Sequence, residues 1–218
     1  MPKPLQRIQH NLLAVGERRL LTWLCSRQPG WVTPDMLTAI GFGGTMCVFA
    51  GYTLSMFHAE WLWLAIVGYC INWFGDSLDG SLARFRKTER PSFGYFIDHS
   101  IDSIGNLIAM IGLGLSPYVR LDVALLGVAS YSLMSIHTFL AARVVAEFRL
   151  SYLAGGPTEL RLILIAMILC MLGVGQQPPL WFGLSVFDLF VGFLGVGLIA
   201  IFVVRTWVTA RLLRDKIE

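Results

Sequence analysis

Four aspartates stand within twenty-seven residues of a chain whose composition otherwise suits lipid: Asp76, Asp79, Asp98 and Asp102. An isolated charge inside a bilayer costs a few kcal/mol even on lenient insertion scales, and four like charges together cost more. Such a cluster is tolerable when a cation lies among the carboxylates. Carboxylate oxygens select hard divalent cations, Mg²⁺ first, with Mn²⁺ or Ca²⁺ as substitutes. The residue types therefore predict a divalent-metal site that faces a polar cavity.

The spacing of these residues places them on two helical surfaces. Residues three, four, seven and eight apart share one stripe of an α-helix. The first stripe holds Asp76, Asp79, Gly80, Ala83 and Arg84, and the second holds Gly94, Asp98 and Asp102. If the two helices are consecutive and antiparallel, the four carboxylates converge at their ends. The small residues among them would leave room for a ligand.

A pair of divalent ions suits chemistry on phosphate esters. Two ions about 4 Å apart can clamp a phosphoryl group during in-line displacement. Arg84, on the first stripe, would neutralise further phosphate charge. The rival interpretation is a small cation transporter or channel that uses the aspartates as its ion path. Against it, the cluster is confined to one end of its helices, and no acidic residue continues across the bilayer.

The composition predicts an all-α integral membrane protein. The 218 residues are 56% hydrophobic and only 14% charged, whereas soluble domains carry about a quarter charged residues. About twenty apolar residues span a bilayer as a helix. Six stretches without a charged residue are near that length or longer, and they predict six transmembrane helices, with an outer linker at 175–179 before the sixth. The uncharged stretches are 36–57, 61–75, 103–119, 123–142, 162–187 and 189–204.

The distribution of positive charge predicts the orientation. All of the Lys and Arg residues except Arg120 lie in the N-terminal arm, after the second stretch, after the fourth stretch or in the C-terminal tail. By the positive-inside rule, both termini and the aspartate cluster are cytoplasmic. If the protein is bacterial, the membrane would be the cell (inner) membrane. The basic excess marks orientation and contact with anionic headgroups rather than a nucleic-acid partner.

Local signals predict the limits of several helices. Residues 4–27 form an amphipathic pattern typical of an interfacial helix, interrupted at Gly16. Thr33 and Pro34 suit an N-cap and the first position of the next helix. The second span should run past the membrane edge through Arg84 and end before Pro91. The chain would thus divide into an interfacial helix (1–30) and a six-helix catalytic domain (31–218).

The aspartate motif also resembles that of a known family. D-x2-D-G-x2-A-R, followed after nine intervening residues by G-x3-D-x3-D, is similar at every position to the motif of the CDP-alcohol phosphotransferases. The resemblance implies an Mg²⁺-dependent membrane enzyme of phospholipid synthesis with two ions, often a homodimer. At the cytoplasmic face it would transfer the phospho-alcohol group of a CDP-linked donor to an acceptor hydroxyl and release CMP.

The resemblance also implies roles for individual residues. Asp76, Asp79 and Asp98 would hold the metals, and Asp102 would complete the metal site and act as general base. The residues that let the CDP moiety approach or support its binding would be Gly80, Ala83, Gly94 and Arg84.

His99 is a second candidate for the base, because an imidazole exchanges its proton near neutral pH. The alternative is that His99 orients a carboxylate or faces headgroups.

The resemblance does not decide which of two branches of the family supplies the donor and the acceptor. The sequence Asp98-His99-Ser100-Ile101-Asp102-Ser103 looks like that of choline and ethanolamine phosphotransferases, which join a CDP-amino alcohol to diacylglycerol. The chain length is closer to that of the small enzymes that use CDP-diacylglycerol.

Acceptor recognition is expected in one cytoplasmic segment, around Arg143, Arg149, Glu159 and Arg161. The carboxylate would suit a cationic amino alcohol, and the arginines would suit a phosphorylated polyol. The alternative is that Glu159 and Arg161 only cap and anchor a helix.

Overall fold

The computed structural model describes residues 14–145 and 156–214, together with the backbone of two three-residue strands. The helices of these ranges, in chain order, are α1 (Ala14–Arg27), α2 (Pro34–Leu54), α3 (Leu62–Phe85), α4 (Pro91–Leu115), α5 (Leu121–Val145), α6 (Pro157–Val174) and α7 (Val186–Arg214). One turn of 3₁₀ helix, Ala59–Trp61, precedes α3. The strands β1 (Gln6–Ile8) and β2 (Glu147–Arg149) pair in parallel. Apart from this short pair, the predicted all-helical fold is confirmed.

Four of the described helices are long and apolar enough to cross a membrane: α2, residues 121–144 of α5, α6 and α7. Helices α3 and α4 have similar lengths, 24 and 25 residues, but each carries two of the aspartates. The integral membrane character is therefore supported by four spans. The count of six and the orientation of the termini stay predictions.

Helices α2 and α3 pack backbone against backbone through glycines. A Cβ atom added at Gly44 would lie 2.7 Å from the carbonyl oxygen of Gly68. A Cβ atom at Gly75 would clash with the backbone of Leu37 and Gly41. Only hydrogen fits at these positions, which is how small residues let membrane helices approach closely. Because Gly75 directly precedes Asp76, this contact fixes the position of the aspartate stripe of α3 relative to α2.

The buried apolar residues form two clusters. The larger cluster lies at the end of the bundle remote from the aspartates and includes Tyr52, Leu62, Leu113, Ile168 and Met171. The smaller one joins α1 to α2 and α3, and consists of Cys25, Val32, Leu37, Leu78 and Leu82. Burial of these side chains stabilises α1 on the helices that carry the first aspartates.

A single arginine ties the segment after α1 to the end of α3. The guanidinium of Arg86 donates hydrogen bonds to the carbonyl oxygens of Gln28 (3.2 Å), Pro29 (2.8 Å) and Val32. Charge-assisted bonds of this kind are stronger than neutral ones. They hold the chain between α1 and α2 against the aspartate end of α3.

The predicted helix limits are largely confirmed. The backbone N–H of Met36 donates to the hydroxyl of Thr33 (3.2 Å), as expected of an N-cap, and α3 continues through the aspartate stripe to Phe85. The predicted interruption at Gly16 is wrong, since α1 begins at Ala14 and continues through that residue. Gly16 is exposed, and glycine inside an exposed helix costs only about 1 kcal/mol. The predicted part of this helix before Ala14 lies outside the described residues, apart from the backbone of β1.

Candidate active site

The structure brings the four aspartates together in one cleft of about 800 Å³, here called the aspartate cleft. Asp76 and Asp79 extend into it from α3, and Asp98 and Asp102 extend from α4. Helix α1 and the start of α6 complete its walls. Two helical stripes thus meet at one end of the bundle.

The α4 wall of the cleft places three possible metal ligands side by side. Ligand atoms of Asp98, His99 and Asp102 all lie within 4.8 Å of one another. The Nδ1 atom of His99 lies 3.2 Å from a carboxylate oxygen of Asp98. The His99 ring is stacked on Phe139, with ring centroids 5.1 Å apart. His99 is therefore held where it can orient Asp98, contact a cation or accept a proton.

Asp79 is the most buried of the four aspartates, with 8% of its surface exposed. Its carboxylate accepts hydrogen bonds from the Thr38 hydroxyl, at 2.5 Å, and from the backbone N–H of Gly80. Thr38 lies on α2, so the closely packed α2–α3 pair also orients this side chain. Sequence reasoning missed Thr38, because nothing in its local pattern marks a partner forty-one residues away.

Asp76 forms an ion pair with Arg161, in the first turns of α6. Both side chains are largely buried, with 19% and 14% of their surfaces exposed. A desolvated carboxylate is stabilised by such a partner, and removal of either one leaves a costly unpaired charge. Arg161 thus does more than anchor α6 in headgroups, since it offsets part of the charge of the cluster.

Glu17 connects α1, α3 and α6 around the cleft, a role that no local pattern of residues indicates. One carboxylate oxygen accepts hydrogen bonds from the indole N–H of Trp73 (2.9 Å) and from the hydroxyl of Thr158 (2.8 Å). Trp73 is on α3, one turn before Asp76, and Thr158 begins α6. Through these two bonds Glu17 fixes α1 to α3 and α6, the helices that are also joined by the Asp76–Arg161 ion pair.

The predicted CDP-contacting residues divide into two groups. Gly80 and Arg84 line the cleft, whereas Ala83 and Gly94 do not belong to its lining. The atoms nearest to a Cβ atom at Gly80 would be those of the flexible Arg84 guanidinium, at 3.3 Å, and a Cβ atom at Gly94 would meet no atom within 4 Å. Packing among the described residues therefore gives no reason for glycine at these two positions.

The predicted acceptor residues are not all close to the cleft. Glu159 accepts a hydrogen bond from the backbone N–H of Gly156 (2.9 Å), a capping contact at the start of its own helix, and it does not line the cleft. Arg143 is exposed near the end of α5, and it does not line the cleft. The side chain of Arg149 lies outside the described residues.

The donor set of the cleft fits a hard divalent cation. Four carboxylates and one imidazole converge, and oxygen-rich sites of this kind suit Mg²⁺ and Mn²⁺. The side chains of Asp98, His99 and Asp102 are close enough to share one ion. The cations that also line the cleft, namely Arg18, Arg84 and Arg161, suit an anionic ligand such as a diphosphate.

Comparison with known proteins agrees with this chemistry. The chain is 33% identical over 125 residues to an archaetidylinositol phosphate synthase of Pyrococcus horikoshii, an alignment that covers 57% of this chain and 55% of that relative. It is also 33% identical over 84 residues to a phosphatidylinositol phosphate synthase of Cutibacterium acnes, covering 38% of each chain. The chain thus spans about half the length of the first relative and less of the second. Residues 31–207 match the family model described as CDP-alcohol phosphatidyltransferase, and the protein therefore belongs to that family.

Proposed function

We propose that this protein is an Mg²⁺-dependent membrane phosphotransferase of phospholipid biosynthesis. It transfers the phospho-alcohol group of a CDP-alcohol, either CDP-diacylglycerol or a CDP-amino alcohol, to an acceptor hydroxyl and releases CMP. The observation that carries the proposal is the convergence of Asp76, Asp79, Asp98 and Asp102 in one cleft that also contains arginines. Membership of the family supports the same reaction class.

In this proposal the four aspartates hold two divalent ions. Asp76 and Asp79 contribute from α3, Asp98 and Asp102 contribute from α4, and His99 lies within reach of the α4 pair. The bound ions would neutralise the phosphoryl oxygens and the departing phosphate. Arg161, already beside Asp76, offsets part of the carboxylate charge before a cation binds.

The remaining side chains would bind the donor and move the proton. Gly80 and Arg84 lie where the diphosphate of a CDP-linked donor can approach the aspartates. The acceptor oxygen attacks the β-phosphorus, and Asp102 takes its proton as general base, with His99 as the second candidate. The bond between the β-phosphorus and the bridging oxygen breaks, and CMP leaves with the electron pair.

The proposed setting is a six-span protein with its cleft on the cytoplasmic side, which functions as a homodimer. Helices α3 and α4 would span the membrane beside the four more apolar helices, with their aspartate ends at the interface. The basic residues near the cleft, including Arg18, Arg84, Arg86 and Arg90, support this orientation by the positive-inside rule.

A donor-by-acceptor panel tests the function. Protein purified in detergent is incubated with Mg²⁺ and each CDP-linked donor, CMP is quantified, and the lipid product is identified by mass spectrometry. Asp98→Asn serves as the inactive control. If no donor yields CMP while Asp102→Asn changes cation flux in liposomes, the transporter alternative replaces the enzyme.

A further inference from the structure

A second cavity of about 270 Å³, here called the side cavity, adjoins the aspartate cleft between α5 and α6. The two spaces share His99, Asp102 and Pro157 in their linings. We infer that the side cavity is the acceptor site and that the acceptor is an uncharged lipid alcohol whose hydroxyl lies at Asp102. This inference rests on the proposed phosphotransferase function and deepens it by choosing the acceptor class.

The side cavity lies where α6 does not pack against α5, although the start of α6 is held to α3 by the Asp76–Arg161 ion pair. Met167, Ile168 and Met171 of its second half are buried in the larger apolar cluster. Among the described helices, α6 packs against α3 and has no comparable packing against α5. The first half of α6 therefore stands away from α5. Ile163, 40% exposed, lies at the rim, so the cavity reaches the outer surface of two membrane-crossing helices.

The lining combines a few polar groups with a larger apolar wall. Asn106 and Tyr131 can hydrogen-bond a hydroxyl placed at Asp102. The apolar residues that α5 and α6 contribute are Met134, Phe139, Leu160 and Ile163, and the hydroxyls of Ser135 and Thr138 lie between those of α5. A ligand with one hydroxyl end and apolar chains suits this lining, since binding sites are mostly apolar with a few polar groups that fix orientation.

The charge of the lining argues against a phosphorylated acceptor. No lysine or arginine is among the described residues that line the side cavity, and its carboxylates are Asp102 and Glu159. A buried phosphate monoester would need cationic partners. The aspartate cleft, by contrast, contains Arg18, Arg84 and Arg161. Among the described residues, the arginines thus line the cleft where the donor diphosphate is placed and not the cavity where the acceptor is placed.

The acceptor class in turn selects the donor class. If the lipid enters as the acceptor, the donor carries a water-soluble alcohol on its CDP. The lipid hydroxyl oxygen bonds to the β-phosphorus, and the bond from that phosphorus to the bridging oxygen breaks with its electron pair on CMP. The hydroxyl proton passes to a carboxylate of the cluster. The product is a phospholipid with the donor's alcohol as headgroup.

A matched pair of tryptophan variants tests the cavity. Ile163→Trp fills its rim, whereas Leu162→Trp alters a neighbouring residue that is 50% exposed and does not line it. With dioleoylglycerol as acceptor and CDP-choline or CDP-ethanolamine as donor, Ile163→Trp should raise the KM for dioleoylglycerol about tenfold and leave the donor KM unchanged. Leu162→Trp should match the wild type. Equal behaviour of the two variants, or CMP release stimulated only by inositol 1-phosphate or glycerol 3-phosphate, overturns the inference.

Photolabelling tests the site without turnover. Wild-type protein in nanodiscs is irradiated with a diacylglycerol that carries a diazirine in one acyl chain, and labelled peptides are mapped by mass spectrometry. The label should fall on α5 and α6 around Met134 and Ile163, and excess dioleoylglycerol should compete with it. Labels confined to other surfaces, or labels without competition, overturn the inference. Absence of CMP release with every donor would instead defeat the proposed function, so the two failures are distinguishable.

Discussion

The two sides of the aspartate cleft are built in opposite ways. On one side α3 lies against α2 with glycines at the contact, and Thr38 of α2 binds Asp79 directly. On the other side α5 and α6 stand apart, and the space between them opens beside Asp102. Close backbone packing thus holds the fixed charges in place, whereas a path for a ligand requires a gap between helices. Precise placement of such groups requires support from surrounding side chains.

The most damaging substitution should be on the packed side. Asp79→Asn removes one carboxylate from the proposed metal site, yet its amide oxygen can still accept a hydrogen bond from Thr38 or Gly80. We expect the kcat for CMP release to fall about a thousandfold, with the midpoint of thermal unfolding in detergent almost unchanged. If the Asp79→Asn variant turns over as fast as the wild type, Asp79 is not a metal ligand. A large loss of thermal stability would show that its role is structural.

Gly75→Ala should act on stability instead. The new Cβ atom would collide with the backbone of Leu37 and Gly41, which cannot yield as a flexible side chain can. We expect a loss of about 3 kcal/mol in the free energy of unfolding, measured by thermal unfolding in detergent. Gly43→Ala is the matched control on α2, since its Cβ atom would meet no atom within 4 Å. Equal stability of the two variants would contradict the proposed backbone contact.

Gly94→Ala sharpens the contrast between structural and ligand-contacting glycines. No atom lies within 4 Å of the added Cβ, so thermal stability should be unchanged. If the CDP moiety passes close to this residue, as the family motif implies, the KM for the CDP donor should rise about tenfold. The KM for the CDP donor and the midpoint of thermal unfolding are measured on the same preparation. An unchanged KM would separate Gly94 from donor binding.

Glu17→Ala should have the smallest effect, because it loosens a wall rather than removing a ligand. It deletes the acceptor of the hydrogen bonds from Trp73 and Thr158. We expect the donor KM to rise about fivefold, in line with the loss of hydrogen bonds to a charged group. Glu17→Gln keeps an oxygen that accepts both bonds and should restore most of the affinity. A Gln variant as weak as the Ala variant would indicate that the charge, not the bridge, matters.

Much of the fold was predictable because its signals are local. The cap at Thr33 and the proline at residue 91 marked helix limits, the long apolar stretches indicated apolar helices without their ends, and the three- and four-residue spacing of the aspartates gave their two stripes. The predicted interruption at Gly16 was wrong because glycine, although it often ends a helix, is tolerated within an exposed helix at a small cost.

The rest of the site depends on tertiary packing. The partners in the Thr38–Asp79, Arg161–Asp76 and Thr158–Glu17 contacts are separated by 41, 85 and 141 residues. Single-sequence patterns carry no information on which of many charged or hydroxyl side chains meet at such distances. The side cavity was equally hidden, since hydropathy predicts that α5 and α6 are apolar but not that they stand apart.

The glycine contact between α2 and α3 also bears on the order of synthesis. Seven residues join these helices, so they can associate before most of the chain has left the ribosome. Arg161, the partner of Asp76, is made 85 residues later. During that interval the nascent hairpin carries uncompensated carboxylates at one end. If α2 and α3 span the membrane as proposed, that end would have to stay in water or among headgroups until α6 is made, and this would keep the aspartates at the rim of the membrane.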